Sequence, residues 1–203
     1  MTGLTSRQAA VKRAFDLTVS SIGLVAAAPV IVTATAVATV DTREWGIFSQ
    51  RRIGRHGEPF TVHKIRTMRS TTTPGTTVTA STDPRITRSG AFMRRTKIDE
   101  LPQLWDVLRG AMSFVGPRPD VPGFADRLEG EDRLLLSIRP GITSPGTLAF
   151  RNEEEILAEQ DDPERYNREV LWPEKVRINL EYIRNWSLLK DVQCILQTVR
   201  PGR

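Results

Sequence analysis

The chain has 203 residues, with 29 lysines and arginines against 24 aspartates and glutamates, for a formal net charge of +5. That length supports a real core in one large or two small domains. A lone cysteine, Cys194, excludes an intrachain disulfide and a thiol-rich metal site, and two histidines, His56 and His63, leave any metal site to be built from carboxylates. Charge is unevenly spread: residues 43–97 carry +9, residues 99–203 carry −5 and residues 1–42 carry +1. A basic middle beside an acidic tail suits a protein that meets phosphate groups, and equally an ordinary solvated surface.

The first predicted element is an apolar run. Residues 17–40 contain no charged side chain over 24 positions, 16 of them apolar. As a helix this run measures about 36 Å, long enough to cross a bilayer. It is too long for a secretory signal and carries no clear cleavage pattern. Pro29 removes a backbone donor and crowds the preceding turn, so a bend is expected near Ala28-Pro29. Both flanks are basic, with Arg7, Lys12 and Arg13 before and Arg43, Arg51, Arg52 and Arg55 after. A re-entrant helix that enters and leaves through one face keeps both basic ends in the cytoplasm. It fits these flanks better than a straight span or a buried soluble helix.

Residues 45–68 hold two short alternating runs around a turn rich in Gly and Pro, which predicts a β-hairpin with a basic rim. Trp45 and Phe48 suit either a headgroup level or a core. Residues 70–84, rich in Ser, Thr, Pro and Gly, predict a mobile loop, followed by a short helix over 91–95. Next comes Asp99-Glu100 before the helically spaced Leu101, Leu104, Trp105 and Leu108, with Gly110 as a stop. Pro102 is tolerated only in a first turn, so the helix is expected to start at Asp99 or Glu100. Two acids at a helix N-terminus, with Arg94, Arg95 and Lys97 upstream, suit a carboxylate that attacks phosphorus or one that holds a divalent cation. A plain cap and dipole partner is the alternative.

Pro117 and Pro119 bracket Arg118, stiffening its backbone for bidentate phosphate contact or for a structural pairing with Asp120. A turn over 139–147 leads to Arg151 and an acidic run over 153–155. Residues 174–185 and 187–199 predict amphipathic helices, where Trp172, Trp186, Leu188 and Leu189 serve a core or a lipid face. Cys194 falls in the apolar series of the last helix, as a core or interface residue.

Several motifs recur in a fixed order: Lys12-Arg13-x-Phe15-Asp16, the proline-interrupted apolar run, Phe48-x-Gln50-x-Arg52-x-Gly54, and Lys64-x-Arg66-Thr67-Met68. They continue with Asp83-x-Arg85-Ile86-Thr87-x-x-Gly90, Asp99-Glu100-Leu101-Pro102-Gln103-Leu104, Val115-Gly116-Pro117-Arg118-Pro119 and Arg139-Pro140-Gly141-Ile142-Thr143. The ordered set, over about residues 12–200, resembles the bacterial sugar transferases, in their minimal catalytic form of monotopic phosphoglycosyl transferase. The resemblance implies a mainly α fold with a small β-hairpin (α+β), in which a proline-broken re-entrant membrane helix with its basic flanks, 1–43, packs on a catalytic domain, 44–203.

It also implies transfer of sugar-1-phosphate from a nucleoside diphosphate sugar, usually a UDP-sugar, to undecaprenyl phosphate with release of UMP. The setting is the cytoplasmic face of the bacterial inner membrane, at the start of exopolysaccharide, O-antigen or glycoprotein glycan assembly. By the family pattern Asp99 is the nucleophile and Glu100, with Asp99, holds Mg²⁺; Arg94, Arg118 and Arg151, then Lys64 and Arg66, contact phosphate. Partners implied are the nucleotide sugar, the polyprenyl phosphate and membrane lipid, with a homodimer as one option and the oligomeric state left open; no nucleic-acid partner is expected, since the basic residues are not interleaved with aromatic ones. The chain departs from the pattern at Ala28 (commonly Ser), Asp106 (commonly Asn), Ala111 (commonly Asp), the loop 144–150, and Asn179 (commonly Asp).

Overall fold

Helix α1, Ser6–Thr42, is the longest element of the computed structural model, which describes residues 3–70 and 83–200. Most of the loop expected over 70–84 lies outside the described residues. A capping box opens α1, with the Thr5 hydroxyl accepting from the Gln8 N–H and the Gln8 side chain accepting from the Thr5 N–H. The helix continues through Pro29 instead of breaking there. Proline forfeits one backbone bond, whereas long helical arms on both sides hold the conformation cooperatively. The Thr33 hydroxyl also donates to the Pro29 carbonyl at 2.8 Å.

The predicted hairpin is present. β1 (Ile47–Ile53) pairs antiparallel with β2 (Pro59–Ile65), Ile47 facing Ile65 and Ile53 facing Pro59. α2 (Arg88–Arg95) follows, capped by the Thr87 hydroxyl, and then a single 3-10 turn, Ile98–Glu100. α3 (Gln103–Arg109) stops at Gly110, whose φ of 83° is the left-handed conformation the stop requires.

Between Gly110 and residue 147 the sequence suggests turns alone, and the structure adds a second small sheet there. β3 (Ser113–Val115) pairs in parallel with β4 (Gly141–Thr143). Each strand is too short to show alternation. The pairing depends on close backbone approach, since a Cβ on Gly116 would strike the Arg139 carbonyl and one on Gly141 would strike Gly116. Helices α4 (Pro145–Ala149), α5 (Glu153–Ala158) and α6 (Pro163–Tyr166) lead to α7 (Trp172–Arg184) and α8 (Leu188–Val199), close to the predicted pair. The fold is therefore mostly helical, with two two-stranded sheets.

The main core joins Val115, Leu134, Leu135, Ile138, Leu180, Ile183, Trp186 and Cys194, so Cys194 and Trp186 are interior residues while Leu189 stays exposed. A second cluster packs Ala34 and Ala38 of α1 on Ile65 and Met93, with Ile98 against it. A third joins Val62, Val107 and Met112. α1 is thus seated at both ends. Near its start Lys12 pairs with Asp191 of α8 at 2.5 Å, and Arg13 donates to the Val107 and Leu108 carbonyls at 2.7 and 2.8 Å. Asp16 accepts from the Ser113 hydroxyl and the Phe114 N–H, each at 3.1 Å. Between these seats its apolar side chains are open, with Val25 79% exposed and Val32 69%. It is one helix long and apolar enough to cross a membrane.

Candidate active site

Asp99 and Glu100 do not begin α3; they occupy the separate turn before it. Pro102 has no N–H to give to the Ile98 carbonyl, which the Leu101 N–H takes instead in a 3-10 bond of 3.1 Å. Upstream, Lys97 has φ 59°, a left-handed residue that turns the chain sharply after α2. With Ile98 packed against the second core cluster, Asp99 is directed inward and only 8% exposed. The capping reading of the pair therefore fails: neither acid caps α3, and Pro102 stands at that cap without a side-chain bond.

The two carboxylates have opposite environments. Asp99 Oδ1 is buried with no hydrogen-bond partner. Burial and the adjacent Glu100 charge lift this carboxyl to about 6, against the pull of Lys64, Lys97 and Arg94. Glu100 Oε1 accepts from Lys64 Nζ at 3.0 Å. Burial pushes Glu100 upward too, but Lys64, Arg118 and Lys97 outweigh it and hold the group at about 2. One acid is a firmly ionised anchor, and its neighbour is an under-solvated, more basic carboxylate.

A buried clamp lies beside the Lys64–Glu100 pair. Asp106 on α3 is fully buried and accepts from the His63 N–H at 2.9 Å; its Oδ1 lies 2.7 Å from His63 Nδ1 and accepts from Arg109 Nη2 at 2.7 Å. It ties the strand that carries Lys64 to the helix that follows Glu100. The sequence offered only the departure from asparagine at 106 as a signal. Arg118 sits on a loop stitched at three points: Gly141 N–H to the Pro117 carbonyl at 2.9 Å, Ile53 N–H to the Asp120 carbonyl at 2.9 Å, and Arg52 Nη1 to the Pro119 carbonyl at 3.4 Å. Its side chain is exposed and its charge acts on Glu100 and Lys64. Burial lifts the nearby Asp120 to about 7, against Arg118, Arg52 and Lys175. In the sequence Asp120 stands out only as an ion-pair partner for Arg118.

Of the remaining candidates, Arg94 lies close enough for its charge to act on Asp99, with Nη1 3.8 Å from Met68 Sδ. Arg66 is turned to the hairpin edge, where it donates to the Trp45 carbonyl at 2.9 Å, pairs with Glu44 at 3.2 Å and covers the Phe48 ring. Arg151 donates to the Gln197 and Arg200 carbonyls at the end of α8. The structure thus gathers Asp99, Glu100, Lys64, Arg118 and Arg94, and ties Arg66 and Arg151 to other partners. Asn179 is buried and its Oδ1 accepts from the Gly146 N–H at 3.4 Å, a packing contact between α7 and α4.

Among the described residues no group of three or more His, Cys, Asp and Glu side chains is placed to hold a metal. The donors at hand are the orphaned Asp99 oxygen and the carboxylate of Glu100. This small set fits Mg²⁺, which keeps several waters and is bound through one or two carboxylates together with substrate phosphates.

The family model described as bacterial sugar transferase matches residues 7–201, nearly the whole chain. The chain belongs to the bacterial sugar transferase family. The undecaprenyl-phosphate glucose phosphotransferase of Komagataeibacter xylinus is 38% identical over 197 residues, 93% of this transferase and 35% of the relative. The UDP-glucose:undecaprenyl-phosphate glucose-1-phosphate transferase of Escherichia coli (strain K12) is 33% identical, over 94% of this chain and 40% of the relative. The exopolysaccharide production protein ExoY of Sinorhizobium fredii is 29% identical, over 93% and 83%. The transferase therefore spans no more than two fifths of the two longer relatives and most of the shorter one.

Proposed function

We propose that this chain transfers sugar-1-phosphate from a nucleoside diphosphate sugar, a UDP-sugar in the first instance, to undecaprenyl phosphate, initiating assembly of a bacterial surface glycan. The observation that carries the reading is the orphaned, buried Asp99 oxygen beside the lysine-anchored Glu100. An Asp99 oxygen attacks the sugar-bearing phosphorus; the P–O–P bridge breaks and UMP leaves with the bonding pair. An oxygen of the lipid phosphate then attacks the same phosphorus and frees Asp99. Two displacements at one carboxylate let two bulky substrates use one small site in turn. Each brings anion to anion, so cationic groups are needed, and Lys64, Arg118 and Arg94 supply them. Glu100 and Asp99 would hold Mg²⁺, and the ion would supply further charge neutralisation at phosphoryl oxygens.

The membrane part of the proposal is a monotopic, re-entrant α1 with the catalytic face in the cytoplasm. It is supported by the double seating of that helix. Ser20 and Ala34 are both buried on the same body, and the stretch between them measures about 21 Å, short of the ~30 Å hydrocarbon layer. The exposed Trp45, Phe92 and Trp105 suit an interfacial level. Purified protein with Mg²⁺ and a panel of nucleotide sugars is expected to release UMP, and Asp99→Asn to release none. Normal UMP release by that variant, or a phosphosugar adduct trapped on another residue, overturns the reading.

A further inference from the structure

Lys97 occupies the position after the α2 cap where a helix that turns left-handed ordinarily has glycine. Its φ of 59° crowds a Cβ against the backbone, a conformation that persists in a non-glycine residue only when the surroundings or a function hold it. Nothing visible repays the side chain. Lys97 is exposed, and among the described residues its ammonium has no hydrogen-bond or ion-pair partner, although its charge acts on both Asp99 and Glu100. Its backbone, by contrast, is fully used: the N–H donates to the Arg94 carbonyl and the carbonyl accepts from the Glu100 N–H, each at 3.2 Å. The backbone bonds of Lys97 thus build the turn, and a glycine would serve them with less strain. Instead a cation stands there, two residues before Asp99.

We propose that Lys97 is a substrate-binding residue whose ammonium engages the diphosphate of the nucleotide-sugar donor. This rests on the donor reading above. Lys64 is already committed to Glu100, so Lys97 is the lysine at the turn with its donors free for an incoming anion. A flexible lysine also suits a group that follows the phosphoryl through both displacements.

The test uses the full chain in detergent with Mg²⁺ and a donor from which the wild type releases UMP. Lys97→Gly is expected to raise the thermal midpoint by about 2 °C while lowering kcat/KM for the donor about 10- to 100-fold. Lys97→Arg should restore kcat/KM to within about fivefold of wild type, because it keeps the charge. Arg43→Gly, which relieves the same conformation at the exposed end of α1, should show the stability gain alone. Unchanged kcat/KM in Lys97→Gly overturns the assignment, as does Lys97→Arg as slow as Lys97→Gly. A lowered midpoint in Lys97→Gly overturns the strain argument beneath it. If wild type releases UMP from no donor, the donor reading fails separately, and calorimetric titration with UDP decides on Lys97. A Kd about tenfold weaker in Lys97→Gly supports it, and an equal Kd overturns it.

Discussion

Two buried acids in this transferase are treated in opposite ways. Asp191, 1% exposed, has every direction filled: Lys12 Nζ at 2.5 Å, the Tyr182 hydroxyl at 2.5 Å and Trp186 Nε1 at 3.2 Å. Asp99, 8% exposed, has an oxygen with no partner at all. Both are carboxylates removed from water, and burial alone would raise the energy of each ionised form. The first is saturated and locks α1 to α7 and α8. The second is left short, so its lone pairs are available to phosphorus or to a cation. The difference separates a buried charge whose partners are complete from one left with an open oxygen, the feature on which the proposed role of Asp99 rests.

The comparison breaks most visibly at the saturated end. Lys12→Met leaves Asp191 buried with its cation gone and is expected to cost about 3–5 kcal/mol, measured by thermal or denaturant unfolding. At the other end the sign reverses. The ionised Asp99 is a burden on the fold, absent below about pH 4 and complete above about pH 6. Asp99→Asn should therefore stabilise the protein at pH 7.5, by at most about 3 kcal/mol, while abolishing UMP release. Calorimetry on that variant across pH should show the gain vanish as the pH falls to 4. Glu100 behaves in the opposite sense: its stabilisation is present above about pH 4.5 and is lost as the pH falls through about 2.

Activity sharpens the contrast further. The proposed mechanism has Asp99 attack as the carboxylate, so kcat/KM for the donor should fall on an acid limb near pH 6. Raising Mg²⁺ should shift that limb to lower pH, since a bound cation favours the carboxylate. The smallest effect is expected at the clamp. Asp106→Asn keeps hydrogen-bonding capacity toward His63 but loses the charge facing Arg109. A loss of about 1 kcal/mol in stability should accompany a rise in donor KM severalfold, as Lys64 loosens from Glu100; an unchanged KM would show that the clamp serves stability alone.

What the sequence disclosed followed from local rules. The hairpin, the stop at Gly110 and the last two helices rest on alternation, a left-handed glycine and helical spacing, all contained within a few residues. The acid pair was legible as a candidate, but its placement was not, because a proline inside a first turn and a 3-10 turn ending at that proline look alike in one dimension. The β3–β4 pair escaped because three-residue strands carry no period. The Lys12–Asp191 lock joins residues 179 positions apart, and the His63–Asp106 clamp 43 apart. Pairings across such distances need the fold. Arg151 was a phosphate candidate by its motif position alone, and only the fold shows its guanidinium donating to carbonyls at the end of α8.

The double seating of α1 has a practical outcome. Its Ala34 and Ala38 are as much a part of the interior as Ile65 or Met93, and its Arg13 donates to the last carbonyls of the helix that follows the acidic turn. Cutting the chain at residue 43 to obtain a water-soluble enzyme would strip away packing surface along with the long apolar helix. The fragment 44–203 should aggregate or remain unstructured, so reagents that keep α1 in place, such as nanodiscs, are the route to a working preparation.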